Sequence, residues 1–338
     1  MSRAFVTGLK GAALSAEERA FLMDAAPWGL ILFRRNVEDR DQLLRLTADF
    51  RDAVGWAAPV LIDQEGGRVQ RMTAPIWRKY PSGQRLAEAA SLANDPALIE
   101  DVAHLIGDDL AAAGIDVDCA PCLDIATPGM TAAIGDRSYG ATPDLVATAG
   151  RAFARGLISA GVLPVIKHIP GHGRARVDSH HELPVVDADL ETLAATDFAP
   201  FASLADLPAA MTAHLVYTAI DAERPATQSA VLIEEVIRRR IGFDGLLFSD
   251  DLSMNALKGT IGERARATLA AGCDIALHCS GDMREMLAVA AEAPELAGKA
   301  AARAQRALKK PAGSPHDDAD GVLARLGAAL TAFDAADA

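Results

Sequence analysis

Basic charge is scarce in this sequence: 33 lysines and arginines stand against 46 acidic residues, a formal net charge of −13. Nucleic acid and anionic membrane surfaces both require a basic footprint, so neither is an expected partner. Cysteine is scarce too. Cys119, Cys122, Cys273 and Cys279 lie in apolar runs and read as reduced core thiols, which suits a cytoplasmic protein. Cys119-x-x-Cys122 has the spacing of half a zinc or redox motif, but no second pair follows, and "IDVDCAPCLDI" reads as a strand and its exit. No uninterrupted apolar stretch is long enough to span a bilayer. The N-terminal "AFVTGLKGAALSA" ends like a signal-peptidase site. Lys10, Gly8 and Gly11 interrupt its apolar stretch, and only Arg3 supplies a basic start, so a cytoplasmic location is expected. Gly-x-Gly-x-x-Gly is missing after the first strand-like run, which weakens a dinucleotide-binding reading.

What the sequence does have is rhythm. Short apolar runs recur at 4–9, 29–33, 59–64, 115–121, 163–168, 209–214, 245–250 and 273–279. Continuous apolar runs of this length fit parallel strands buried on both faces. Helical patterns separate them. "SAEERAFLMDAA" opens with a capping box at Ser15 and Glu18, and "VEDRDQLLRLTADFRDAVG" is amphipathic and stops at Gly55. "NDPALIEDVAHLIGDDLAAAG" is expected to start on an Asn/Asp cap. "TPDLVATAGRAFARGLISAG" has Thr142 as cap, Pro143 in the first turn and Gly161 as stop. "SAVLIEEVIRRRIG" and "IGERARATLAAG" follow the same grammar. Eight strand–helix units predict an α/β fold, a single-domain (β/α)8 barrel spanning 1–338. Strands should run to about 280, with C-terminal helices over 281–338: the last barrel helix and one terminal helix, broken by "KKPAGSPHDD". A doubly wound open sheet is the alternative.

In such a barrel the active site sits where the strands end. Asp63 ends the third run and Asp124 follows the fourth; Lys167 and His168 end the fifth. His214 ends the sixth, and Ser249, Asp250 and Asp251 end the seventh. Burying such groups without partners costs several kcal/mol each, so they should line a wet cavity. One stretch stands out. "VIKHIPGHGRARVDSHHELP" (165–184) holds His168, His172, His180 and His181, half of the chain's eight histidines, beside Lys167 and Asp178. Such a stretch suits a metal cage, a proton-transfer device or a phosphate loop. The phosphate reading is weak, because "PGHGR" lacks Gly-Lys-Ser/Thr. A loop of this length, carrying Pro170, Gly171 and Gly173, is usually functional or mobile.

"LIDQEGGRVQRM", "IGDRSYG", "KHIPGHG…DSHHELP", "MTAHLVY" and "LLFSDDLSMNAL" resemble the motifs of glycoside hydrolase family 3, in the same order and spacing from about residue 4 to 280. The closest likeness is to the family's single-domain bacterial β-N-acetylglucosaminidases of peptidoglycan recycling. Ile169 departs from the pattern, where an aromatic is common. The resemblance implies a retaining exo-hydrolase with no cofactor and no metal. Its small-molecule substrate would be a carbohydrate, a GlcNAc-anhydroMurNAc muropeptide. It implies that Asp250 is the nucleophile forming a covalent glycosyl–enzyme intermediate. It also implies that His180 is the acid/base, paired with Asp178 in an Asp-x-His spacing; the aspartate fixes the tautomer and favours the charged ring. Asp63, Arg71, Arg137, Lys167 and His168 match the family's ligands for the terminal sugar. Asp118, Asp124 and His214 are expected to support them from behind. His172 is expected to shape the loop and His181 to point away. Alternation along a strand lets only one of Asp250 and Asp251 face the sugar, so Asp251 is expected to cap the following helix.

Three rival readings remain. A metal-dependent barrel hydrolase finds no His-x-His on the first strand, although the glycine-flanked histidines offer ligands. A glycoside phosphorylase fits a histidine acid/base, which does not repel phosphate. A non-enzymatic sugar-binding barrel needs neither an Asp-x-His pair nor a further strand-end carboxylate.

Overall fold

The computed structural model describes residues 2–309 and 313–336. Eight parallel strands close into a barrel: β1 (Arg3–Thr7), β2 (Pro27–Leu32), β3 (Val60–Ile62), β4 (Val117–Asp118), β5 (Leu163–Ile169), β6 (Ala209–Thr212), β7 (Leu246–Asp251) and β8 (Ile275–His278). Each pairs with its sequence neighbours, and β1 closes the ring on β8. All eight lie within the predicted runs or overlap them. The single-barrel expectation therefore holds against the open sheet.

Alternation explains the core. Val6, Ile31, Leu61, Val117, Val165, Met211, Phe248 and Ile275 fill the barrel interior. Phe5, Leu30, Val60, Ile166, Ala210 and Leu247 point outward into a second core under the helices. Ile169 is fully buried in that outer core. The helix (Gly298–Ala307) closes the lower end, where Leu296, Ala304 and Ala307 pack on the interior residues.

Local signals set most helix boundaries. The Ser15–Glu18 capping box starts the helix Ala16–Ala25. Asp39 caps Arg40–Val54, which stops at Gly55 in the left-handed region (φ 76°). Thr142 caps Pro143–Ser159, and a Thr260–Glu263 box caps Ile261–Ala271.

Other boundaries differ from expectation. The helix Leu98–Ala111 begins after Ala97, which makes no side-chain cap; Asp95 instead accepts the Ala97 N–H at 3.3 Å. Leu232–Arg240 is wound as a π-helix, with Ile241 N–H donating back five residues to Val236. Among the described residues the tail forms three helices rather than two: Met283–Glu292, Gly298–Ala307 and Ala319–Ala336. The predicted break falls partly on residues 310–312, which lie outside the described residues. The last helix returns to the helices before β4, where Arg325 bonds Asp95 and Asp101 at 2.6 and 2.5 Å. No helix among the described residues is long and apolar enough to cross a membrane.

Candidate active site

The loops leaving the upper, C-terminal ends of the strands surround a cleft of about 280 Å³. Asp63, Arg71, Arg137, Lys167, His168, Asp178, His180 and Asp250 all line it. The fold thus gathers every residue singled out for catalysis or sugar binding into one place.

The β3 side is built first. After β3 the chain turns into a small hairpin, Gln64–Gly66 against Val69–Gln70. Gly66 and Gly67 have φ of 96° and 57°, a region that side-chain-bearing residues avoid. The Gln64 side chain accepts the Arg71 and Met72 N–H groups at 2.9 and 3.0 Å. This hairpin returns Arg71 to Asp63, where its guanidinium bonds the carboxylate at 2.9 Å, and lays it over the Phe33 ring at 5.4 Å.

Lys167 rises from β5 and is 2% exposed. Its ammonium lies 2.7 Å from both Asp63 and Glu65. Arg137 grips Glu65 with two bonds, at 2.7 and 2.8 Å. Burial alone would raise both carboxyls, but the adjacent cations outweigh it. Asp63 falls well below the usual carboxylate range and Glu65 falls to about 2. The Lys167 ammonium is held above its ordinary value despite its burial, by Asp63 and Glu65. Glu65 was absent from the sequence-derived set. It lies inside "LIDQEGGRVQRM", where the carboxylate alternation Asp63-x-Glu65 is the available signal.

Asp118, at the end of β4, behaves in the opposite way. Its Oδ1 accepts the Gln64 N–H at 2.9 Å, while its Oδ2 is buried without a partner. Burial pushes its carboxyl up to about 8, so it is held protonated near neutrality.

Lys167 and His168 both face the cleft although adjacent in sequence; the β5–β6 ladder is irregular between Lys167 and Ile169. His168 Nδ1 lies 2.6 Å from Asp124 Oδ2. Despite its burial, Asp124 is held ionised by His168 and His172, so Nδ1–H donates and Nε2 is left toward the cleft, 3.5 Å from Arg137. Asp124 also accepts the His172 N–H at 2.5 Å and lies 3.3 Å from Cys122 Sγ. The ring of His172 does not line the cleft, in keeping with a loop-shaping position.

Asp250 ends β7. Its position continues the inward alternation of Leu246 and Phe248. Among the described residues the only hydrogen bond its carboxylate accepts is from the Asp251 N–H, at 2.8 Å. Burial works against its charge. The nearby His214 and His168 rings, the Asp251 N–H and Lys167 outweigh that and lower its carboxyl below the usual range. His214 is buried, with its ring nitrogens at 2.7 Å from Thr227 Oγ1 and 3.0 Å from the Asp251 carbonyl; burial lowers its titration.

Asp251 corrects an expectation. It also borders the cleft, because the β7–β8 register shifts between Phe248 and Asp251. It caps no helix: its carboxylate bonds Ser253 N–H at 3.0 Å, the Ser253 hydroxyl, and Cys279 N–H at 3.1 Å. Both oxygens are engaged, whereas Asp250 keeps one free.

The Asp178–His180 pair sits on the loop after β5. Asp178 Oδ1 accepts the His180 N–H at 2.9 Å and lies 2.7 Å from Nδ1. These bonds outweigh burial and lower the Asp178 carboxyl. With Nδ1–H committed to an ionised carboxylate, Nε2 of His180 is the nitrogen available to a ligand. Tyr217 donates to the Gly171 carbonyl, and Gly173 leaves no room for a side chain against the Ile125 backbone. The loop is thus held at its root. His181 does not line the cleft.

Among the described residues, one group of possible metal ligands is compact and buried: Cys122, Asp124 and His168. Asp124 there is already bonded to His168, the His172 N–H and Cys122. Cys119 belongs to the apolar barrel interior instead of this group.

A family model described as the glycosyl hydrolase family 3 N-terminal domain matches residues 5–310. A beta-hexosaminidase of Methylococcus capsulatus is 42% identical over 80% of this chain and 81% of its own length. The solved structure of NagZ from Neisseria gonorrhoeae in complex with N-trifluoroacetyl-D-glucosamine superimposes with a TM-score of 0.85 at 31% identity, covering 98% of each chain. A family 3 beta-N-acetylglucosaminidase from Paenibacillus gives a TM-score of 0.81 at 32% identity over 99% of this chain. The chain spans only 62% of that protein's length.

Proposed function

The chain belongs to glycoside hydrolase family 3, and on that footing we propose that it removes terminal β-linked N-acetylglucosamine from cell-wall fragments by a retaining, two-step mechanism. As a glycoside hydrolase of the β-N-acetylhexosaminidase kind it acts on a carbohydrate; the finer reading names a GlcNAc-anhydroMurNAc muropeptide, cleaved in the cytoplasm without a metal or cofactor. The observation that carries it is the meeting, in one cleft, of an ionised and largely free Asp250 carboxylate with an Asp178–His180 pair from a different loop.

Asp63, Arg71, Arg137, Lys167 and His168 hold the hydroxyls of the terminal sugar. Their mutual ion pairs fix them before substrate arrives, so little ordering remains to be done on binding. The cleft lies at the low end of small-molecule sites in volume, which suits one sugar unit and exo-cleavage. Asp250 attacks the anomeric carbon and forms the covalent ester, while His180 protonates the departing oxygen through Nε2. The neutral ring then takes a proton from water, which attacks the ester and releases the sugar with its configuration retained. Asp178 holds the tautomer and stabilises the charged ring. The barrel and its C-terminal helices serve as one catalytic unit.

The substrate is tested with a chromogenic β-N-acetylglucosaminide beside the matching β-glucoside. Preference for the former is expected; equal or better turnover of the glucoside contradicts the reading. Formation of a sugar 1-phosphate in phosphate buffer would convert it to a phosphorylase. The acid/base is tested by His180→Ala. With a poor leaving group the loss should be roughly 10²–10⁴-fold, and with an activated phenol much smaller, the glycosyl intermediate then accumulating as a burst.

A further inference from the structure

Ser179 lies between the two members of the Asp178–His180 pair, and it is their opposite in burial. It is 4% exposed. The side chains of Asp178 and His180 are 31% and 64% exposed. A loop that dips inward for a single residue must be held at that residue, and two contacts hold it. The Ser179 hydroxyl lies 3.3 Å from Nε2 of His172. Its carbonyl accepts the N–H of Ala256 at 3.2 Å.

The two partners belong to the two halves of the site. His172 is fixed by its own N–H on Asp124 and packs ring against ring with His168, at 5.7 Å between centroids. Burial pushes His172 down to about 4, so its ring is neutral near neutrality and exchanges an ordinary, uncharged hydrogen bond with the serine. Ala256 is buried in the turn that follows β7, the strand that carries Asp250.

We infer that Ser179 is a positioning residue: its hydroxyl and carbonyl hold the Asp178–His180 pair over Asp250 by tying the loop to His172 on one side and to Ala256 on the other. The inference rests on the reading of His180 as acid/base. A general acid acts only within hydrogen-bond reach of the oxygen it protonates. A solvent-exposed imidazole on a loop that leaves a strand end has many other places to be. Removing one neutral hydrogen bond shifts such a two-state loop by roughly 3–10-fold. That loss falls on the step that needs the acid. A residue that merely packs the loop would instead lower every substrate alike.

The test uses the full chain with Ser179→Ala, His180→Ala and wild type side by side. kcat/KM is measured on β-N-acetylglucosaminides with leaving groups from a sugar alcohol to an activated phenol. Ser179→Ala is expected to lose roughly 3–10-fold on the poorest leaving group and almost nothing on the best. Hydrogen exchange at the Ala256 amide should quicken while that of the barrel strands is unchanged. If His180→Ala shows the graded loss but Ser179→Ala shows a uniform loss or none, the anchoring role is overturned and the acid/base reading stands. If His180→Ala itself is uniform, both fall. Should Ser179→Ala fold poorly, exchange in the wild type decides: a protected Ala256 amide supports the anchor, and a freely exchanging one overturns it.

Discussion

Two charged clusters stand at opposite ends of the same barrel, and they are completed differently. At the lower end Asp274 is buried between Arg238 and Arg303, with bonds of 2.9 and 3.1 Å, and it also accepts the Leu247 N–H at 3.0 Å. Arg303 continues to Asp244 at 2.6 Å, and Arg238 donates to the Phe243 and Gly245 carbonyls at 3.0 and 2.8 Å. No buried side-chain nitrogen or oxygen of that cluster lacks a partner among the described residues. At the upper end Arg71 Nε, Asp118 Oδ2 and His172 Nδ1 are buried without one, and Asp250 keeps a carboxylate oxygen free. Buried polar groups are normally satisfied, so a cluster of exceptions calls for an explanation. The lower cluster holds the barrel shut and is finished by the protein itself. The upper one is not: of its unpaired groups Arg71 and Asp250 line the cleft, while Asp118 and His172 lie behind it.

The largest expected effect separates the two ends by function. Asp250→Asn should lower turnover by a factor on the order of 10⁴ or more, the scale of removing a catalytic nucleophile. Its melting temperature should be unchanged or higher, since a half-buried, largely unpaired charge held for chemistry is rarely optimal for stability. Steady-state rates with a thermal melt check both halves; a destabilised but active variant would break the comparison.

The converse is Asp274→Ala at the lower end. It takes from Arg238 its carboxylate partner and from Arg303 one of two, and should cost about 3–5 kcal/mol of folding free energy, with kcat of the folded enzyme unchanged. Denaturant unfolding measures the first and active-site-normalised kinetics the second. A variant of wild-type stability with reduced kcat would show that the lower cluster is not structural.

These two clusters also mark what the sequence disclosed. The barrel was legible because every strand is buried on both faces and reads as an apolar run. The upper site was legible because charged residues follow such runs directly, as Asp63, Lys167 and Asp250 do. The lower cluster was not, because Asp244 and Asp274 precede their strands and Arg303 comes from a tail helix far away in sequence. Glu65 was missed because its stretch reads as a turn. Asp251 was assigned to a helix cap on strand alternation alone, which the register shift after Phe248 overrides. The Asn94–Asp95 cap failed because the helix starts one turn later, at Leu98.

A smaller effect concerns pH. Asp118 titrates at about 8 in the folded chain and near ~3.9 when unfolded. Its folded-state pKa is raised, so its contribution to stability is fully present below the unfolded value. That contribution is lost as the pH rises toward the folded one, at up to ~1.4 kcal/mol per pH unit. Asp118→Asn lacks that slope. Its melting temperature should therefore gain on wild type between about pH 5 and about pH 8. A gap that does not change with pH would mean that Asp118 is ionised in the native state. The smallest effect is none at all: prolonged chelation should leave activity intact. A loss restored by zinc would turn Cys122, Asp124 and His168 from a hydrogen-bonded support into a metal site.

The most direct test of the central claim is to trap the covalent intermediate with a 2-fluoro or 5-fluoro sugar and locate the label by peptide mass spectrometry. The account predicts one sugar esterified to Asp250, whose free oxygen faces the cleft. Label on Asp251, or on no carboxylate, would contradict it.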